Sequence, residues 1–208
     1  MDKIIDTIVK MQESYTKLWH QAEECLNDDI EIYDSAEKML HVYAKANHLM
    51  NFKLWHAEDR ARIPDEQDKI IADCKRTIDL LNKKRTEFYE YVDDSFMFLL
   101  KNCIVNNADV PFNTESIGSI VDRLSVLSLK IYHMKEEKKR RTFKNNDYKE
   151  ISDKLKILIQ QKKVLVSAFK NLITEYIDGT KRPIIYKQLK MYNDKNLNPE
   201  LYKKRVNL

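Results

Sequence analysis

Glycine is nearly missing from this sequence, with two residues in 208 alongside four prolines. Tight hairpins need residues that accept positive φ, and phosphate-cradling loops need backbone free of side chains. Sheet-rich folds and glycine-loop nucleotide-binding folds are thereby disfavoured. Cysteine is scarce too. Cys25, Cys74 and Cys103 are odd in number and far apart, with neither the CxxC spacing of a metal site nor the density of a disulfide scaffold, so they are expected to be reduced core thiols. No stretch approaches the roughly 18 continuous apolar residues of a membrane span, and charge interrupts the apolar residues of the N-terminus. The expectation is a soluble, cytoplasmic protein with no membrane insertion.

A dominant sign of charge is also lacking. The 37 Lys and Arg stand against 33 Asp and Glu, a net +4, too balanced for a dedicated nucleic-acid binder. Residues 1–100 nevertheless carry −7 and residues 101–208 carry +11. The two halves are expected to complement each other, although the basic half also suits an anion.

What is abundant is charge and helical periodicity. Charged residues make up 34% of the chain, and apolar residues recur at three-and-four spacing. The fold class expected is all-α: a single antiparallel helical bundle over residues 1–208, with about five long helices, a short C-terminal helix and an irregular tail. The first helix is expected over about residues 2–25, ended by Asn27-Asp-Asp29, with Ile5, Ile8, Tyr15, Leu18 and Trp19 buried. The second runs from about Ser35 to Arg62 and stops at Ile63-Pro64, because the residue before proline is disfavoured in the helical region. Pro64 would open a third helix with Asp65 and Glu66 in its first turn, reaching about Asn106. Asn113 would cap the fourth, whose stripe of Ile117, Ile120, Leu124, Leu127, Ile131 and Met134 marks a core face. Gly118, Ser119, Ser125 and Ser128 leave its other sides small enough for close packing. A fifth helix over about 147–178 ends at Gly179, and Pro183 would open a sixth through about Tyr192.

Polar residues intrude where the stripes should be apolar. One face of the second helix reads Leu40, Ala44, Asn47, Asn51, Leu54, Glu58 and Arg62, with His48, Trp55 and Asp59 one step round. On the third, Arg85 interrupts Ile71, Cys74, Ile78, Leu81, Phe88 and Val92, while Lys75, Asp79 and Asn82 line the adjoining edge. A guanidinium at a core position needs carboxylate partners, and Glu58 and Asp59 on the preceding helix are the expected ones. The fourth helix adds Ser119, Arg123 and Lys130 beside Glu115 and Asp122. Such a constellation is either a structural network or a ligand-facing pocket.

Read as a pocket, the candidate ligand-binding residues are Asn51, Trp55, Glu58, Asp59, Arg62, Lys75, Asp79, Asn82, Arg85, Asp122, Arg123 and Lys130. Arg85, Arg123 and Lys130 would hold a small anionic ligand such as a sugar phosphate or nucleotide sugar, with Trp55 as an apolar wall. The alternative is a non-enzymatic interaction protein that binds a partner enzyme or forms a homodimer; a third possibility is an acid–base enzyme using Glu58, Asp59 and His56. His20, His41, His48, His56 and His133 form no HExxH and no repeated Glu-x-x-His pair, so neither a metal nor another cofactor is expected. Glu87-x-x-Glu90-x-x-Asp93 lacks the second acidic helix that a Mg²⁺ site of helical pyrophosphatases would need. Nucleophile elbows and Walker loops are absent.

Three blocks carry a family resemblance. They are Leu54-Trp55-His56-Ala-Glu58-Asp59-Arg-Ala-Arg62 with Lys75-Arg76-Thr-Ile78-Asp79-Leu-Leu-Asn82-Lys-Lys-Arg85; Asn113-Thr-Glu115-Ser-Ile-Gly118 through Asp122-Arg123-Leu-Ser125 to Lys130-Ile-Tyr132-His133; and Lys187-Gln-Leu-Lys190-Met-Tyr192-Asn193-Asp194 to Asn198-Pro199-Glu-Leu-Tyr202. In order and character they resemble a bacterial family known as domain of unknown function 4254, with a family-like core over 54–202 and a poorer likeness over the first 50 residues. The resemblance implies no established activity, cofactor or catalytic residue. It does imply a setting beside glycosyltransferases in surface-polysaccharide metabolism, and hence such an enzyme as a possible partner.

Overall fold

The computed structural model describes residues 1–22, 26, 29–105, 107–141, 146–191, 194 and 196–202. Cys25, the helix stop at Asn27 and Asp28, and the expected helix ends at Asn106 and Tyr192 lie outside the described residues. The helices are α1 (Asp2–Gln21), α2 (Ala36–Ala61), α3 (Asp68–Leu100), α4 (Ile117–Arg140), α5 (Asn146–Ile177) and α6 (Pro199–Tyr202). Among the described residues the only bridge is the isolated parallel pair Phe112 and Arg182. This is the all-α bundle read from the sequence, and no described helix is long and apolar enough to cross a membrane.

Chain direction follows from which residues meet. Tyr43 near the start of α2 packs on Tyr91 near the end of α3, Asp93 near the end of α3 meets Gly118 at the start of α4, and Lys138 near the end of α4 meets Ser152 near the start of α5, so α2 to α5 alternate in direction. α1 departs from strict alternation. Its residues 12, 16 and 20 meet Val121, His48 and Phe52 in ascending order, so it runs parallel to α2 and α4.

Helix ends follow local chemistry. Ser35 and Ser116 accept hydrogen bonds from the backbone N–H of Lys38 and Ser119, satisfying orphan donors in the first turns of α2 and α4. The α4 cap is thus Ser116 rather than Asn113. Pro64 and Asp65 form a turn instead of opening α3, with Asp65 at φ 63°. Gly179, at φ +68°, follows α5 as expected, and the N–H groups of Thr180 and Lys181 close back onto the Glu175 carbonyl.

The expected sixth helix over 183–192 is an extended strap across the described residues 183–191. Buried Asn113 explains the change. Its side-chain amide donates to the Ile184 carbonyl at 3.1 Å and accepts from the Ile184 N–H at 2.6 Å, taking the carbonyl that a helix opening at Pro183 would have used. The strap then lies along α3: Glu90 accepts from the Gln188 N–H at 2.9 Å, and Lys190 Nζ donates to Thr86 Oγ1 and the Asn82 carbonyl.

Two apolar clusters form the core. One joins Ile5, Ile8, Leu40, Ala44, Val92, Phe96, Ile120, Leu124 and Phe169; the other joins Trp19, Leu49, Met50, Phe52, Leu54, Ile78, Leu81 and Leu129. On each of α1 to α4 the segments feeding the two clusters are separated by polar residues. The core stripe of α4 thins along its length: Ile117, Ile120 and Leu124 are buried, while Leu127, Ile131 and Met134 are half-buried. Leu18 and Ile71, expected inside, are exposed. Gly118 bears out the expected close packing. A Cβ there would fall onto the Tyr89 carbonyl, and the Gly118 N–H donates to Asp93 at 2.6 Å. Burial raises the Asp93 pKa to about 6. With Asp93 bonded to Gly118 and Glu90 to the strap, the acidic spacing of α3 has a structural use.

Candidate functional site

Between the two apolar clusters lies a connected polar layer. Asp122 on α4 is its hub, with a side chain only 7% exposed. Its Oδ1 accepts from Asn47 Nδ2 at 2.9 Å, Asn51 Nδ2 at 2.8 Å and Arg85 Nε at 2.8 Å. Its Oδ2 accepts from an Arg85 terminal nitrogen, Nη2, at 2.5 Å. Helices α2, α3 and α4 are thus tied at one level. Such a bidentate, charge-assisted pair is the geometry that makes a guanidinium tolerable beside a core. The Asp122 hydrogen bonds raise the Arg85 pKa against the opposing effect of burial.

The layer continues inward to α1. Asn51 uses its second N–H on Ser125 Oγ at 3.0 Å, and Ser125 lies 2.7 Å from His48 Nδ1. His48 Nε2 is 3.0 Å from Thr16 Oγ1, whose own proton goes to the Gln12 carbonyl. Thr16 must therefore accept, which puts the His48 proton on Nε2 and makes Nδ1 the acceptor for Ser125. A single chain of hydrogen bonds runs Thr16, His48, Ser125, Asn51, Asp122, Arg85. Burial pushes the His48 pKa down to about 3, so the ring stays neutral.

Arg85 does not pair with Glu58 or Asp59 as expected. Glu58 pairs with Arg62 one helical turn on, at 2.7 Å, with side chains 41% and 68% exposed. The carboxylate that answers Arg85 is Asp122. Lys75 and Asp79 pair with each other on the outer face of α3 and line neither cleft described below. Arg123 pairs with Glu115 at 2.6 Å on the surface.

Two clefts open on either side of Arg85. The first, about 310 Å³, is lined by Asn51, Trp55, Glu58, Asp59, Arg62, Asn82 and Arg85. The second, about 620 Å³, is lined by Arg85, Arg123 and Lys130 together with Gln160 and Gln161 of α5. The structure therefore brings Arg85, Arg123 and Lys130 to one cleft and sets Glu58 and Asp59, with Trp55, in the other. Trp55 stacks on His133 with ring centroids 4.4 Å apart and planes 4° from parallel. Lys190 went unread as a candidate, because only the strap carries it beside Arg85. Burial first, and the Arg85 charge second, lower its pKa.

Glu58→Ala is expected to change stability by about 1 kcal/mol or less, since exposed i,i+4 pairs contribute little. Arg85→Met strands a buried carboxylate and is expected to cost about 3–5 kcal/mol, with only part of the loss recovered in Arg85→Met/Asp122→Leu, because Asn47 and Asn51 then each lose an acceptor. Urea melts of the three variants test this, and equal small effects would contradict the polar layer. For pH, a His48 pKa of about 3 in the fold against about 6.5 unfolded means that the unfolded chain takes up the proton first. The stability held by His48 is complete above about pH 6.5 and lost as pH falls towards 3, on the order of 4–5 kcal/mol in all. In an NMR titration the His48 ring should remain neutral to about pH 4. A midpoint near 6.5 would contradict its burial.

Comparison with known proteins gives a family and no function. No curated protein and no solved structure shows a significant match to the chain. The family match covers all twelve candidate ligand-binding residues and starts earlier than the resemblance suggested, taking in Asn47 and His48, while the Lys187–Tyr202 block falls outside it. The chain belongs to the DUF4254 family, described as a protein of unknown function, whose model matches residues 41–185.

Proposed function

We propose that the cleft shared by Arg85, Arg123 and Lys130 binds a small phosphate-bearing ligand, a sugar phosphate or nucleotide sugar. The observation that carries this reading is the state of Arg85. Asp122 engages its Nε and Nη2, while Nη1 has no hydrogen bond among the described residues and the side chain is 31% exposed. A guanidinium oriented from behind by a carboxylate is preorganised to donate from its remaining edge, with little entropy lost on binding. Arg123 and Lys130 line the same cleft, and Lys190 lies close enough for the Arg85 charge to lower its pKa. Gln160 and Gln161 offer amides suited to sugar hydroxyls, and across Arg85 the Asn82 amide and the Asp59 carboxylate line the other cleft.

A second reading, binding of a partner protein or a second copy of the chain, is favoured by Ile157, Ile159 and Val164, which α5 leaves exposed. The two readings separate in a thermal-shift screen of inorganic phosphate, sugar phosphates and nucleotide sugars. A ligand at about 100 times its Kd is expected to add roughly 2.7 kcal/mol, and Arg123→Ala is expected to reduce that gain. Stabilisation unchanged in Arg123→Ala would move the ligand elsewhere. No stabilisation by any anion, with a defined dimer or partner complex, would replace the ligand reading by the interaction reading.

A further inference from the structure

Three histidines from three helices converge beyond Trp55. His20 near the end of α1, His56 on α2 and His133 on α4 each place a ring nitrogen within 4.8 Å of the others. His20 Nδ1 lies 2.6 Å from the Thr16 carbonyl, which can only accept, so Nδ1 carries a proton and Nε2 of the neutral ring presents a lone pair. The Nε2 atoms of His20 and His133 are both buried with no hydrogen-bond partner among the described residues. Two unpartnered, buried imidazole nitrogens on rings whose centroids lie 4.8 Å apart are unfavourable unless something binds them.

The surroundings fix the rings as ligand shells do. Tyr132 stacks on His20 at 4.2 Å and Trp55 stacks on His133 at 4.4 Å, while Phe52 meets His20 and His56 edge-on. A backbone carbonyl holding the far nitrogen of a histidine is a recurrent orienting contact around metal ions, and Thr16 supplies it for His20.

We infer that His20, His56 and His133 form a site for one divalent transition-metal ion of the zinc class. Three imidazole nitrogens with no thiolate suit Zn²⁺, Co²⁺, Ni²⁺ or Cu²⁺ and disfavour Mg²⁺ and Ca²⁺, which take oxygen ligands. Zn–N bonds of about 2.0–2.1 Å in tetrahedral geometry require nitrogens about 3.3 Å apart. Side-chain rotation must therefore close the present spacing, and exposed His56 is the member with room to move. Three protein ligands leave a fourth position for water or a ligand. His133 also lines an apolar groove of about 550 Å³ with Trp55 and Lys130, so this site adjoins the cationic cleft.

The test uses full-length, tag-free protein stripped with chelator. Titration with Co²⁺ is expected to give a tetrahedral visible spectrum at one ion per chain, bleached by Zn²⁺. Calorimetry with Zn²⁺ is expected to show affinity falling by more than about 100-fold in His56→Ala and in His133→Ala, since losing an orienting contact alone costs about 10–100-fold. His41→Ala, outside the cluster, should bind as the parent does. Because His56 is exposed, His56→Ala is expected to keep the parent circular dichroism spectrum. Absence of stoichiometric binding, an octahedral Co²⁺ spectrum, or unchanged affinity in folded His56→Ala would each overturn the inference.

Discussion

The structure depends on a carboxylate that is nearly sealed from water. Asp122 would be costly to bury as an isolated charge, and four hydrogen bonds from Asn47, Asn51 and Arg85 offset that cost. The donors come from α2 and α3, so the same bonds fix how those helices meet α4. The apolar clusters on either side set no such register. Leu, Ile and Phe contacts tolerate small shifts, whereas a bidentate Arg–Asp pair tolerates few. The layer thus specifies the packing and, at its outer end, aims an arginine at two clefts.

Much of this was legible in the sequence because polar residues at core spacing are rare. Asn47, Asn51 and Arg85 stood out for that reason, and the structure links all three. The partner of Arg85 was misread through proximity: Glu58 and Asp59 sit on the preceding helix, yet Glu58 is satisfied by Arg62 one turn away. Asp122 was noticed only as part of a polar face, since periodicity cannot say towards which neighbour a face turns. The strap over 183–191 was misread as helix because Pro183 suits a helix start. Only a distant side chain, Asn113, changes the outcome. The imidazole cluster had no local signature, because its members lie on α1, α2 and α4 and meet through the parallel run of α1 beside the other two.

The polar layer also joins the two regions of chemical interest. Thr16 accepts the His48 Nε2–H hydrogen bond at its hydroxyl oxygen and holds His20 through its carbonyl. Trp55 lines the cleft beside Arg85 and stacks on His133. The proposed anion cleft and the proposed metal site are therefore anchored to one framework, with Trp55 and Lys130 between them. A phosphate ligand and a cation are chemically compatible neighbours in such an arrangement.

The central claim is that Asp122 holds the Arg85 guanidinium from behind and leaves Nη1 for a ligand. NMR of the arginine side-chain nitrogens reads this directly. In the free protein, Arg85 should show a protected Nε–H and two distinct terminal nitrogens, because the bidentate pair hinders rotation. Added inorganic phosphate should shift Nη1 while Nε stays in place. A freely rotating Arg85 with averaged terminal nitrogens, unaffected by phosphate, would contradict the account.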